Sequence, residues 1–192
     1  MITEKDIAAA AKALGCNVAV IRAITLVESN GHGFYGSGKI VLKFEGHVFH
    51  RYTKGKFDKS HPSLSYPEWT EKYSEFGEKA YNRFNQAFEL DPIAAMLSTS
   101  WGMFQIMGEN YIECGYRSIH EFITAMKLGD SNQLMAFVKY CLYRKLDRFM
   151  KNFYDMADNF AYRYNGALWK RNDYGGKLRR AYNYFKTLYK IS

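Results

Sequence analysis

NVAVIRAITLVES, residues 17–29, followed at once by NGHG, residues 30–33, is the stretch on which the fold turns. Val20, Ile24 and Val27 recur at i, i+4 and i+7, the spacing of one helix face. Asn17 fits the N-cap, and Gly31 fits the left-handed position just past the last turn. Glu28 then falls in the final helical turn. The helix dipole is negative there, so the protonated acid is favoured over the carboxylate. Apolar surroundings would push the same way. A carboxylic acid that stays protonated near neutral pH is the proton donor that glycosidic cleavage needs. A glutamate at a helix end is also what a solvated, fraying terminus looks like. The rest of the chain has to separate the two readings.

Outward from this helix, the pattern is mainly helical. Thr3 with Asp6 reads as a modified capping box opening a first helix that runs to Leu14 and Gly15. After Glu28, residues 31–39 carry four glycines and read as a loop or hairpin tip, and residues 39–44, KIVLKF, are the best strand candidate. A short helical turn is expected over 47–52 and a long surface loop over 54–67. Residues 71–90 have helical spacing, with Tyr73, Phe76, Ala80, Phe84 and Phe88 in position to face a core. Asp91-Pro92 opens a short helix with Pro at its first position. Ser118-x-x-Glu121 is a capping box for a helix to about Leu128. Further helices are expected over 131–150, 152–164 and 173–190. The fold class is therefore mainly α (α+β), with one small β element near residues 33–45.

Composition bounds the answer. At 192 residues the chain reads as a single domain over 1–192, with 47% apolar and 24% charged residues, which excludes a disordered chain. No apolar run approaches the roughly 18–20 residues of a membrane span. The N-terminus has acids at Glu4 and Asp6 and no apolar core, so a secretory signal is not expected. Cys16, Cys114 and Cys141 are odd in number and lack C-x-x-C spacing, and are read as reduced and structural. His47 and His50 share a helical face at i, i+3, but no H-E-x-x-H is present, so no metal site is expected. The net charge is +8, and residues 139–192 hold 13 Lys or Arg against 4 acids. That end implies an anionic partner such as lipid headgroups or an acidic wall polymer. No recognised nucleic-acid motif accompanies it.

Three segments form a constellation in order: Glu28 with its glycine-rich exit, the run SWGMFQIMG at 100–108, and YNG at 164–166. Together with K-F-E-x-H-x-F at 43–49, H-P-x-L-S at 61–65 and C-G-Y at 114–116, they resemble the N-acetylmuramidase family of phage endolysins and bacterial wall hydrolases. The resemblance spans residues 27–166 and implies a lysozyme-like helical domain with a small β-hairpin after the catalytic-Glu helix. It implies cleavage of the β-1,4 bond between N-acetylmuramic acid and N-acetylglucosamine in peptidoglycan, without a cofactor. Glu28 maps onto the family's catalytic acid and Glu45 onto its second acidic position. The roles expected of Glu45 are activating a water or steadying an oxocarbenium-like transition state. Ser29, Ser100, Trp101, Gln105, Tyr164 and Asn165 are expected to line the sugar groove, with Tyr164 in place to hydrogen-bond Glu28. Met103, Phe104 and Ile106 alternate with them and are expected in the core.

A separate wall-binding module, which the resemblance makes common among relatives, is not expected here. The basic C-terminal region, including Lys170, Arg171, Lys177, Arg179 and Arg180, is expected to attract an anionic envelope instead. The expected protein is a monomer made in the host cytoplasm. It acts on the wall or in the periplasm after release through a holin lesion, leading to lysis. Two alternatives stay open: a lytic transglycosylase leaving 1,6-anhydromuramic ends, and a lysozyme-like wall-binding protein without turnover.

Overall fold

The computed structural model describes residues 2–29, 31–73 and 75–191, without the side chains of residues 29, 167 and 168. Nine α-helices are found among these residues: α1 (Glu4–Leu14), α2 (Val18–Ser29), α3 (Gly46–Thr53), α4 (Glu78–Leu90), α5 (Pro92–Leu97), α6 (Ile119–Leu128), α7 (Asp130–Tyr143), α8 (Phe153–Asn165) and α9 (Tyr174–Leu188). Three short strands complete the set: β1 (Leu42–Phe44), β2 (Thr99–Trp101) and β3 (Ile106–Met107). No single helix among the described residues is long and apolar enough to cross a membrane.

The helix starts follow their sequence signals. Thr3 and Asp6 close a full capping box on α1, and Gly15 ends that helix in the left-handed conformation. Asn17 Oδ1 accepts the Val20 N–H at 3.3 Å, and at the far end of α2 the Gly31 N–H donates to the Thr25 carbonyl at 3.3 Å. Pro92 sits in the first turn of α5, with Asp91 capping Ala94. Ser118 caps Glu121 on α6, but the Glu121 carboxylate accepts from the Arg117 N–H, one residue before the expected partner.

Two long helices predicted from periodicity are shorter than expected. Residues 71–90 break at Gly77, whose φ of 66° and ψ of −140° no helix contains. A 3-10 turn over Glu71–Tyr73 precedes the break, and Phe76 lies 60% exposed rather than in the core. The helix expected over 131–150 ends at Tyr143. Its neighbour Lys145 is left-handed at φ 56°, and a 3-10 turn follows at Asp147–Phe149.

The β element also draws on more of the chain than expected. A small hairpin does follow α2, closed by the isolated bridge Phe34–Ile40 and the Tyr35 N–H to Lys39 carbonyl bond at 2.8 Å. The sheet proper is antiparallel in the order β1-β2-β3, and two of its strands come from residues 99–107. Leu42 pairs with Trp101, Lys43 with Ser100, Phe44 with Thr99, and Ser100 with Met107. Side chains alternate across a sheet, so Lys43, Ser100 and Met107 share one face. Leu42, Trp101 and Ile106 share the other, each at most 3% exposed.

The core lies between this inner sheet face and the helices. Ile7, Ile21, Ile24, Phe104, Phe122, Phe137 and Phe160 are all buried in one cluster. Its most extensive helix pair is α2 with α9. Gln133 on α7 is fully buried. It accepts the Met103 N–H at 2.6 Å and donates to the Met126 carbonyl at 3.0 Å, which ties the β2–β3 turn to α6. Cys114 and Cys141 are buried, Cys16 is half-buried, and all three are free thiols.

Candidate active site

Glu28 stands one residue before the end of α2, and its carboxyl enters an apolar wall built by α7, α8 and the β2–β3 turn. Phe104 stacks on Phe137 with centroids 4.4 Å apart, and Tyr164 stacks on Phe160 at 5.4 Å. Glu28 lines a cavity of about 90 Å³ together with Phe104, Gln105, Ile106, Tyr140 and Tyr164 among others. It also lines a groove of about 540 Å³. Glu28 Oε1 is buried and has no hydrogen-bond partner among the described residues. Burial pushes the Glu28 carboxyl up to about 8, against a smaller downward pull from a hydrogen bond with the Asn165 side chain. Burial also holds the Tyr164 phenol far above its usual range, with the neighbouring Glu28 adding to the effect.

Glu45 follows β1 and lines the same groove as Glu28. It stands two residues from Lys43, on the same face by strand alternation. Lys43 Nζ lies 2.8 Å from Glu45 Oε1, and His47 Nδ1 lies 3.7 Å from Oε2. Burial drives the His47 pKa down, so the imidazole is neutral near pH 7 and Lys43 is the cation facing Glu45. His50 faces away into the following loop, where Nδ1 pairs with Asp58 at 2.8 Å. The two histidines therefore have separate carboxylate partners.

Of the other expected groove residues, Ser100, Gln105 and Asn165 line the groove with the two glutamates. Ser100 Oγ donates to Gln105 Oε1 at 2.8 Å, and Gln105 Nε2 donates to the Gly102 carbonyl at 2.8 Å. Gln105 itself is left-handed at φ 46°, which fixes the turn that presents it. Tyr164 lines the smaller cavity that Glu28 shares rather than the groove. Its hydroxyl donates to the Phe104 carbonyl at 2.7 Å, not to Glu28. Trp101 is a correction. It is 1% exposed, donates from Nε1 to the Met96 carbonyl at 3.2 Å and packs edge-on against Phe84. Ser100 and Trp101 are adjacent on one strand, so with Ser100 on the groove face Trp101 must face the core. The Ser29 side chain lies outside the described residues.

A model of the muramidase family, described as N-acetylmuramidase, matches residues 17–186. The chain belongs to the N-acetylmuramidase family. Its fold superposes on the crystal structure of a Burkholderia AP3 phage endolysin with a TM-score of 0.88 at 30% identity. The match covers 97% of this chain and 72% of the endolysin chain. No curated protein sequence matches.

The groove of this N-acetylmuramidase-family chain includes residues that the sequence motifs did not single out. Lys43 was legible in principle, because K-x-E on a strand puts both side chains on one face. Phe76 comes from the segment before α4, Trp169 and Asn172 from the segment between α8 and α9, and Tyr174 from the first turn of α9. Their place depends on how those segments fold back, and no local periodicity encodes that.

Proposed function

We propose that the chain is a peptidoglycan hydrolase that cleaves the β-1,4 bond between N-acetylmuramic acid and N-acetylglucosamine, degrading the bacterial wall. One observation carries the reading: a glutamic acid held protonated by burial, with an unpaired Oε1, at the wall of a groove that a second glutamate also lines. Membership of the N-acetylmuramidase family and the likeness to a phage endolysin support it. Glu28 donates its proton to the bridging oxygen as the bond breaks, and positive charge grows on the anomeric carbon. Glu45 supplies negative charge across the groove and a base for an incoming water. Asn165 and Gln105 offer amide donors and acceptors to the substrate's N-acetyl and hydroxyl groups.

A second outcome has an observation in its favour. One Glu45 oxygen is already bound to Lys43, which leaves less of the carboxylate to activate water. Attack by the sugar's own C6 hydroxyl would then leave a 1,6-anhydro end. Mass spectrometry of digested peptidoglycan separates the two, since hydrolysis leaves a reducing muramic end.

The test of the proposal is clearing of purified peptidoglycan by Glu28→Gln. General acid catalysis contributes about 10²–10⁴-fold, and a loss of that size is expected. Clearing at the wild-type rate would overturn the proposal.

A further inference from the structure

The Tyr174 hydroxyl is buried and has no hydrogen-bond partner among the described residues, yet Tyr174 lines the groove shared by Glu28 and Glu45. The residue is only 9% exposed, and it opens α9 directly after the left-handed Asp173 at φ 46°. The glycine that follows packs against Asp158: a Cβ on Gly175 would meet Asp158 Oδ1 at 1.8 Å, so a larger residue would have to displace that carboxylate from its pairing with Arg179. Trp169 ends the 3-10 turn Gly166–Trp169 and lines the same groove, with Asn172 beside it. Phe76, from the segment before α4, lines the same groove and is 60% exposed despite being apolar. Arg171 and Glu71, 2.6 Å apart, join the segments that carry Trp169 and Phe76.

We infer that Tyr174, Trp169, Asn172 and Phe76 form a separate sugar-binding subsite, taking an N-acetylated hexosamine ring of the glycan away from the bond being cut. The inference rests on the proposed function and deepens it. A pyranose presents apolar C–H faces and a rim of hydroxyls, which is what two aromatic rings, a phenol and an amide recognise. A buried hydroxyl without a partner is costly, and because Tyr174 lines the groove, a ring seated there supplies the partner that its hydroxyl lacks among the described residues. Tyr174 therefore acts in substrate positioning and not in proton transfer.

The experiment is calorimetric binding of an N-acetylglucosamine–N-acetylmuramic acid tetrasaccharide in a Glu28→Gln background, where turnover is slowed about 10²–10⁴-fold. Tyr174→Phe is expected to weaken binding about 5–20-fold, the cost of one hydrogen bond at about tenfold per 1.4 kcal/mol. Trp169→Ala is expected to weaken it by more. Tyr174→Phe should leave the melting temperature unchanged or raised, because the lost hydroxyl bonds to no group among the described residues. With Glu28 restored, the same variant should raise KM while leaving the pH dependence of kcat in place. Unchanged affinity in Tyr174→Phe would overturn the subsite, as would a loss of stability with no loss of affinity. Failure of the proposed function would show elsewhere, as full wall clearing by Glu28→Gln.

Discussion

At the scale of one residue, Glu28 couples the chemistry to the stability of the fold. The carboxyl ionises near 4.5 when unfolded and near 8 when folded. Between those values the unfolded chain releases a proton that the folded chain keeps. Ionisation therefore favours the unfolded state, and stability falls as pH rises through this window. Below pH 4.5 both states are protonated and the penalty vanishes. At pH 7 it is on the order of 3 kcal/mol, at about 1.4 kcal/mol per unit. Glu28→Gln removes the titration. It should be more stable than wild type by a margin that widens from pH 5 to pH 8, measured by urea unfolding at several pH values. The wild-type turnover should fall above pH 8 as the acid ionises. A constant margin across that range would mean that Glu28 is solvated. This residue was legible because helix periodicity, a helix end and a glycine exit all lay within one stretch of sequence. The partner of Tyr164 was not, because a phenol at the end of α8 can reach several acceptors and only packing selected the Phe104 carbonyl.

At the scale of elements, the sheet decides which motif residues meet the substrate. SWGMFQIMG was read as one motif with both Ser100 and Trp101 in the groove. Pairing with β1 splits it by parity, and strand alternation would have forced that split had 99–101 been recognised as a strand. Three residues are too few for a periodicity to show. Capped helix starts were legible because their signals are local. The helix breaks at Gly77 and Lys145 were not, because each helix pattern continues past the break. The turn joining β2 to β3 has its own buried support in Gln133. Replacing Gln133 by Leu leaves the Met103 N–H and the Met126 carbonyl without partners in a dry interior. Each costs about 1–3 kcal/mol, so a loss of about 2–5 kcal/mol is expected by urea denaturation. A loss below about 1 kcal/mol would show that the turn is held by other contacts.

At the scale of the whole molecule, the charge is concentrated where the last helices lie. Several of the basic side chains in that region are already partnered: Arg144 with Glu113, Arg171 with Glu71, Arg179 with Asp158 and Arg180 with Asp173. These pairs are largely exposed and add little stability. They do lower the field that the same arginines present to a partner. Lys177 and Lys190, exposed and without ion pairs among the described residues, therefore carry more of any attraction to an anionic envelope than Arg179 and Arg180. Such attraction acts over distances that salt controls: the screening length falls from about 10 Å at 0.1 M to about 3 Å at 1 M. A short soluble glycan held in the groove is within contact range and is screened little. An intact wall reaches the whole basic surface. Raising salt should therefore slow clearing of intact wall several-fold more than cleavage of a soluble tetrasaccharide. Lys177→Gln with Lys190→Gln should flatten the first dependence and leave the second alone. Turbidity and chromatographic rates from about 0.05 to 0.5 M NaCl read both. Equal slopes on the two substrates would remove any role for the basic end in reaching the wall and leave the groove alone to hold it.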